Sequence, residues 1–495
     1  MADTGHVPEV KSDSALQPVI SRRDLLRRGL RGGCALAGLG SAVGSVGCGQ
    51  FGGSRTPAEK SDVPTILLIT LDTTRADHLG CYGYQRPTSR HLDRLAEDCR
   101  VYDRAISTGT WTLPTHASLF TGRFTASHGA RFDPEGPLGL GDALNDTGEE
   151  GVSLPDRWDK YRIRPMAQNE QTLASLLKDA GYATGAVIAG PWLMKTFGLS
   201  QGFDFYDDGG LTTLEKRTAP DVTRSALDWL ESTGRQPRFL FLNYFDAHAP
   251  LVPPPGFERM FQTGPLPPPA KRSKLKLDQI LGLYDSEIFY MDVYLGRLFD
   301  GLKERGLYDN ALIVVTADHG HLYGEHDQFN HGGIPYQEVV RLPLMIKEPG
   351  GADAGVRVDD WVQLTDLLPM ILKRVGLPIP SSVQGAEPSD KQHPVVIESR
   401  ALPNLDESNA GDWLSIVQEG MKYIRGSEGQ RMLFDLKQDP AEQQNLFATN
   451  PERARSLDDA VHAYLASLPE PGAVGELQEV DAATLKALKS VGYVE

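Results

Sequence analysis

Two hydrophobic rhythms alternate along this chain. "TILLITL" at residues 65–71 is an unbroken apolar run with β-branched residues, the pattern of a strand buried on both faces of a parallel sheet. "TSRHLDRLAEDC" at 88–99 then spaces its apolar residues helically, with Thr88 as the expected cap. The pairing recurs: "NEQTLASLLKDAGYATGAVIAG" reads as helix, glycine turn and strand, "DVTRSALDWLESTG" precedes "RFLFLNYFD", and "SEIFYMDVYLGRLFDGLKERG" precedes "NALIVVTADHG". Strands alternating with helices of this length predict right-handed βαβ crossovers and a doubly wound α/β sheet.

Elsewhere the rhythm breaks. Residues 132–168 carry Gly, Pro and acids without periodicity and read as a long insertion or lid. "PIPSSVQGAEPSDKQH" at 378–393 reads as a linker, which places a boundary near residue 380. Beyond it, "PVVIES", "WLSIVQEG", "MKYIRG" and "RMLFDLKQD" precede a last helix and predict a small mixed sheet, so that 381–495 forms a smaller α+β domain after a main domain over 64–380.

The first residues are a separate unit. "SRRDLLRRGLRGGCALAGLGSAVGSVGC" sets Arg22 and Arg23 before a weakly apolar, Gly/Ala-rich stretch, which resembles a twin-arginine export signal over residues 1–48, followed by a linker over 49–63. The expectation is an exported protein of the periplasm or cell envelope, delivered by export machinery. Cys48 closes "SVGC" as in a lipoprotein cleavage box, with Ser45 where Leu or Val is usual, so the residues leave a lipid anchor at Cys48 open. Of four cysteines only Cys81 and Cys99 lie downstream, and their pairing is equally open. Acidic residues outnumber basic ones 66 to 50, a net charge of -16 that argues against a nucleic-acid partner.

The candidate chemistry lies at strand ends. Asp72 closes the first run, Asp246 and His248 follow "FLFLNYF", and Asp318 with His319 follow "LIVVTA". Carboxyl ends of parallel strands share one edge of a sheet, so residues far apart in sequence can converge there. Carboxylates favour Ca²⁺, Mg²⁺ or Mn²⁺, and imidazole adds tolerance for Mn²⁺ or Zn²⁺. A lone acid after a strand can equally cap the next helix. "ADHGHLYGEHDQFNHGG" adds His321, His326 and His331 to His319, four of the chain's 12 histidines. Within "TWTLPTHASLFTGR", Pro114 marks a helix start, where free amides and the helix dipole favour an anionic oxygen. From position alone Thr112 reads as an N-cap hydroxyl; beside a cation it becomes a nucleophile, because a cation lowers the pKa of an oxygen it contacts.

"TILLITLDTTRADHLGCYGY", "WTLPTHASLFTGR", "FLNYFDAHAP", "IVVTADHGHLYGEH" with "NHGG", "VVRLPLMIKEPG" and the closing "LKSVGYVE" occur in an order and spacing that resemble the sulfatase family of the alkaline phosphatase superfamily. The resemblance implies an alkaline phosphatase-like doubly wound mixed sheet flanked by helices. It implies one divalent cation, Ca²⁺ by family likeness with Mg²⁺, Mn²⁺ or Zn²⁺ as alternatives, on Asp72, Asp318 and His319, with Thr112 at the nucleophile position and His248 and His331 at substrate-binding positions. Asp246 as a ligand and Arg75 as a substrate contact are weaker carry-overs that could serve structure alone. Asp246, His248 and His331 are also a candidate second metal site, the less expected arrangement.

The chain departs from the family pattern where chemistry matters. Typical sulfatases carry Cys or Ser, oxidised to formylglycine, at the head of a Cys-x-Pro-Ser-Arg type motif; here Thr112, Leu113, Pro114, Thr115 and His116 stand there, and Thr73 replaces the second Asp of an Asp-Asp pair. Threonine suits phosphoryl transfer better, because a sulfated threonine lacks the second hydroxyl through which a hydrated aldehyde expels sulfate. The expected function is metal-dependent hydrolysis of sulfate, phosphate or phosphonate esters on a small molecule or glycan. In it Thr112 attacks, His248 and His331 offset charge, His116 or His326 moves the leaving-group proton, and Arg75 and His326 contact substrate. His321 reads as a surface histidine or one that supports another from behind. A transferase of envelope phospho-head-groups and an inactive anion- or carbohydrate-binding relative are the alternatives.

Overall fold

The most apolar run takes the middle of the sheet. In the computed structural model, which describes residues 63–139, 162–209, 217–267, 275–389, 394–400 and 411–474, "TILLITL" forms β1 (Thr65–Leu71), buried at every residue. The other strands follow as β2 (Arg100–Ile106), β3 (Arg131–Phe132), β4 (Leu138–Gly139), β5 (Arg162–Arg164), β6 (Ala183–Val187), β7 (Phe205–Asp207), β8 (Arg238–Tyr244), β9 (Ala311–Thr316), β10 (Arg341–Lys347), β11 (Arg357–Gln363), β12 (Val395–Arg400), β13 (Asp412–Gln418), β14 (Met421–Gly426) and β15 (Arg431–Asp435). Eight of them form one sheet in the order β11-β2-β10-β9-β1-β8-β6-β7. β10 runs antiparallel to β9 and β2, and the remaining pairings are parallel. This is the expected mixed α/β sheet, and it sets β1 between β8 and β9, so the three acid-bearing strand ends are neighbours.

Alternation along β8 shows how helices cover both faces. Phe241 packs edge-on against His116 of the helix Thr112–Thr121, whereas the Tyr244 hydroxyl, on the opposite face, lies 2.8 Å from Thr223 Oγ1 in the helix Ala219–Ser232. The helices Arg90–Glu97 and Ala219–Ser232 pack with the long helix Leu277–Glu304 on that second side. Residues 132–168 are partly regular, since β3, β5 and β4 make a small antiparallel sheet; residues 140–161 lie outside the described residues.

Two local expectations are corrected. Thr88 does not cap its helix: its hydroxyl donates to His78 O at 2.5 Å, and Ser89 precedes Arg90–Glu97. The first amides are satisfied from across the fold, His91 N and Leu92 N each donating to Asp292 at 2.9 Å, so a buried carboxylate supplies the cap. The C-terminal sheet β12-β13-β14-β15 is wholly antiparallel, not mixed. β13, β14 and β15, which follow one another across short turns, can pair only that way. Its alternating residues face two ways: Val396, Ile416, Tyr423 and Leu433 meet the helix Pro451–Ala466 through Leu457 and Val461, while Val395, Ile397, Trp413 and Phe434 pack on Leu322, Ile334 and Tyr336.

Cys81 and Cys99 are both free thiols. The twin-arginine stretch, Cys48 and "LKSVGYVE" lie outside the described residues. Among the described residues no helix is long and apolar enough to cross a membrane.

Candidate active site

The strand ends do converge. Asp72, Asp318 and His319 each offer a ligand atom, these atoms lie within 4.8 Å of one another, and all three residues are buried. The turns that deliver them are tied together. Thr73 enters the left-handed region at φ 52°, its amide donating to Asp318 Oδ1 at 3.3 Å and its carbonyl accepting from the Tyr284 hydroxyl at 2.7 Å. His319 N also donates to Asp318 Oδ1, at 2.8 Å, and Ser107 Oγ donates to Asp318 O at 2.6 Å. Gly320 is required next, because a Cβ there would stand 2.0 Å from Glu338 O.

The donor set fits a divalent cation. His319 Nδ1 lies 2.9 Å from Gly320 O; a carbonyl only accepts, so Nδ1 carries the proton and Nε2 keeps its lone pair. That nitrogen points at Asp318 Oδ2, 3.3 Å away, an oxygen that accepts no hydrogen bond. Two buried carboxylates and an imidazole with Nε2 turned inward are the ligands a hard to borderline divalent ion takes.

Thr112 is the next group in this array, with its Oγ1 3.3 Å from His319 Nε2. It is the first residue of the helix Thr112–Thr121, and Trp111, extended at φ -156°, precedes it without a side-chain cap. The N-cap reading therefore fails: Thr112 turns its hydroxyl to His319, at the positive end of a helix. His116, one turn on, lies with Nδ1 2.9 Å from Thr112 O, so Nδ1 is protonated and Nε2 accepts from the Thr70 hydroxyl at 3.1 Å. Asn243 Nδ2 donates to the same Thr70 oxygen at 3.2 Å, and Asn243 Oδ1 accepts from Gly190 N at 2.8 Å. This corrects the expectation of His116 as a proton carrier: both ring nitrogens are used inside the protein, and burial lowers its pKa. It holds the turn that carries Thr112.

Three histidines stack outward from the ligands. His331 lies over His319 with ring centroids 4.6 Å apart, and His248 meets His331 at 5.1 Å, nearly perpendicular. His321, expected at the surface or in support, is buried, its Nδ1 2.9 Å from Nδ1 of His331. Burial lowers the His331 pKa well below its ordinary value, and neighbouring histidines add to the effect; an imidazolium there is not the ground state.

Three expectations are corrected outside this group. Arg75 is a clamp rather than a substrate contact: its guanidinium binds Asp77 at 2.7 and 2.9 Å, Glu325 at 2.7 Å and His321 O at 3.1 Å, which uses four of its five donors. His326, at φ 53°, stacks on Tyr336 with 3.7 Å between centroids and faces Glu338 at 3.4 Å, so its ring is engaged within the protein. Asp246 Oδ1 accepts from Ala219 N at 3.0 Å and so caps the helix Ala219–Ser232. Among the described residues Asp72, Asp318 and His319 are the one such ligand group, so Asp246, His248 and His331 are not gathered into a second. The Thr70 and Asn243 relay was not anticipated. Its signal was present as polar residues inside the buried runs "TILLITL" and "FLFLNYF".

Comparison with known proteins finds relatives over most of the chain. The family model Sulfatase matches residues 64–377. An arylsulfatase of Clostridium perfringens (strain 13 / Type A) is 25% identical over 454 residues, 79% of this chain and 92% of that protein. The multifunctional alkaline phosphatase superfamily protein PehA of Trinickia caryophylli is 26% identical over 493 residues, 81% of this chain and 94% of that one. A structure solved with its substrate D-glucosamine-2-N,6-O-disulfate superposes with TM-score 0.67 at 19% identity, covering 82% of this chain and 98% of the other. The phosphonate monoester hydrolase of Agrobacterium radiobacter superposes with TM-score 0.62 at 20% identity, covering 81% and 95%.

Proposed function

This chain belongs to the sulfatase family, and from that premise we propose that it is a metal-dependent hydrolase of phosphate, phosphonate or sulfate esters that attacks through Thr112. The observation that carries the reading is the Thr112 hydroxyl, 3.3 Å from His319 Nε2 within the Asp72, Asp318 and His319 group. Asp72, Asp318 and His319 would hold a divalent cation, which would acidify a hydroxyl beside it and offset negative charge on the transferred group.

The chain's own residues supply the rest. The amino end of the helix Thr112–Thr121 favours negative charge on Thr112 Oγ1. His116, fixed by Thr70, holds the Thr112 carbonyl and with it the approach of the hydroxyl. In the first step a Thr112 Oγ1 to phosphorus or sulfur bond forms as that atom's bond to the ester oxygen breaks, and the proton given up by Thr112 ends on the departing alcohol. In the second, water oxygen attacks the same atom, the bond to Oγ1 breaks, and a proton from the water restores the Thr112 hydroxyl. His331, stacked outward from His319, stands where a neutral imidazole N–H binds a non-bridging oxygen, and His248, whose Nδ1 donates to Ala249 O at 2.5 Å, packs against it.

Threonine at the attacking position favours phosphoryl and phosphonyl groups over sulfuryl. A sulfated threonine has no neighbouring hydroxyl for elimination and relies on water reaching sulfur. The relative named multifunctional and the phosphonate monoester hydrolase of like fold support that breadth. The twin-arginine stretch ahead of the catalytic residues supports export to the periplasm or envelope; replacing Arg22 and Arg23 by lysine would then trap the protein inside the cell, and unchanged export would exclude that route.

The test is release of para-nitrophenol from its phosphate, phosphonate and sulfate esters by the full-length protein, after chelation and after addition of Ca²⁺, Mg²⁺, Mn²⁺ or Zn²⁺, with Thr112→Ala alongside. Metal-restored cleavage of phosphoryl or phosphonyl esters that Thr112→Ala lacks supports the reading. No turnover with any ester and metal rejects it.

A further inference from the structure

The C-terminal sheet reaches the two loops that the proposed reaction depends on, and one of its hydroxyls joins them to each other. Ser399 of β12 is buried. Its Oγ donates to Gly332 O at 3.1 Å, which uses its single proton. The Thr110 hydroxyl, 2.5 Å from the same Oγ, is therefore the donor in that pair. Gly332 N returns a bond to Thr110 O at 2.8 Å. Thr110, Ser399 and Gly332 thus form a closed ring of hydrogen bonds among buried groups. Thr110 lies two residues before Thr112, and Gly332 directly follows His331.

We propose that Ser399 is a positioning residue, which sets the distance between the Thr112 nucleophile and His331 by clamping Thr110 to Gly332. The role rests on the function proposed above. Thr112 and His331 come from separate elements, the helix after β2 and the loop after β9, with no chain connection that fixes their spacing. Apart from the ring, β12 holds the nucleophile loop once more, where Glu398 N donates to Thr108 O at 3.0 Å. A second anchor lies beyond His331. The buried pair Lys422 and Glu442, 2.8 Å apart, holds the Pro335 carbonyl through Lys422 Nζ and accepts from Gln337 N at 2.6 Å. The His331 loop is thus pinned at Gly332 and again at Pro335 and Gln337, both times by the C-terminal sheet and the segment after it.

A hydroxyl that only stabilised the fold would lower the melting temperature and leave turnover per folded enzyme unchanged. A positioning hydroxyl acts on kcat, because small displacements of reacting groups cost about 10- to 100-fold in rate. The experiment is a double-mutant cycle in the full-length protein on whichever para-nitrophenyl ester the parent cleaves. It compares Ser399→Ala, Thr110→Val and the double variant, with Thr110→Ser as the conservative control. Each single variant is expected to lose about 10-fold or more in kcat with KM within about twofold. The double variant should lose no more than the worse single, since both delete one bridge, and Thr110→Ser should recover most of the parent kcat. Multiplicative losses, unchanged kcat, or a Thr110→Ser variant as slow as Thr110→Val would overturn the proposal. Amide exchange separates it from the parent reading. Faster exchange confined to Thr110, Thr112 and Gly332 in Ser399→Ala upholds the clamp even if no ester is cleaved, and unchanged exchange there rejects it.

Discussion

Replacing Asp318 by asparagine separates the charge of the ligand group from its geometry. Asn keeps Oδ1, so the amides of Thr73 and His319, at 3.3 and 2.8 Å, retain their acceptor. Its new Nδ2 would stand where Oδ2 is now, 3.3 Å from His319 Nε2, and can donate to that lone pair. What is lost is one of two buried anions. The ligand atoms are at most 4.8 Å apart, and two like charges at that distance repel by about 3.5 kcal/mol at an effective dielectric of about 20. Without metal the variant should therefore be more stable than the parent, by about 2 to 3.5 kcal/mol once screening is allowed for. With metal the gap closes. The parent gains about 2.7 kcal/mol at a cation concentration about 100 times Kd, and the variant gains little. The assay is urea unfolding near pH 8, with chelator and then with each of Ca²⁺, Mg²⁺, Mn²⁺ and Zn²⁺. A parent unmoved by every cation, or a variant no more stable than the parent in chelator, would refute the assignment of these residues as a metal site.

Thr70→Val deletes the hydroxyl between Asn243 and His116 at constant shape; two buried polar groups lose a partner, so denaturant unfolding should show a loss of about 1 to 3 kcal/mol, with kcat lowered more than KM because Thr112 loses its brace. His128, with Nδ1 accepting from Ala130 N at 3.1 Å and Nε2 3.0 Å from Ser118 Oγ, is pushed by burial from 6.5 down to about 3. Its neutral form is favoured on folding, so the stability it contributes is present above pH 6.5 and is lost as pH falls below that value. About 2 kcal/mol should be lost by pH 5 on that account, and His128→Asn should flatten the slope between pH 7 and about 5 in urea unfolding. Burial pushes the Cys81 thiol up to about 12 and the Cys99 thiol higher still. Native protein should therefore leave both unmodified by a thiol-exchange reagent that labels both in denaturant.

The chain announces its sheet more clearly than its contacts. β1, β8 and β9 are legible because strands buried on both faces must be apolar throughout, and Asp72, Asp318 and His319 stand out as the first charged residues after such runs. Convergence follows from topology, since neighbouring parallel strands bring their carboxyl ends to one edge. What a side chain touches is decided by residues distant in sequence. Thr88 looks like a cap, yet Asp292, 200 residues on, holds the amides of that helix. Arg75, His116 and His326 carry the same functional groups whether they meet substrate or protein. Only the positions of Asp77 with Glu325, of Thr70, and of Tyr336 with Glu338 distinguish those roles. Thr112 was ambiguous for a related reason: a hydroxyl at a helix start serves as cap or nucleophile according to whether it turns to the helix or to His319.

The central claim is a covalent bond to Thr112, and it can be seen directly. Full-length protein, loaded with the cation that restores turnover, is mixed with the para-nitrophenyl ester it cleaves best and quenched in acid during steady state. The peptide carrying residues 112–123 is then sequenced by tandem mass spectrometry. The account predicts a phosphoryl, phosphonyl or sulfuryl adduct on Thr112, absent without substrate, with both adduct and turnover lost in Thr112→Ala. An adduct on another residue, or turnover undiminished in Thr112→Ala, would contradict it.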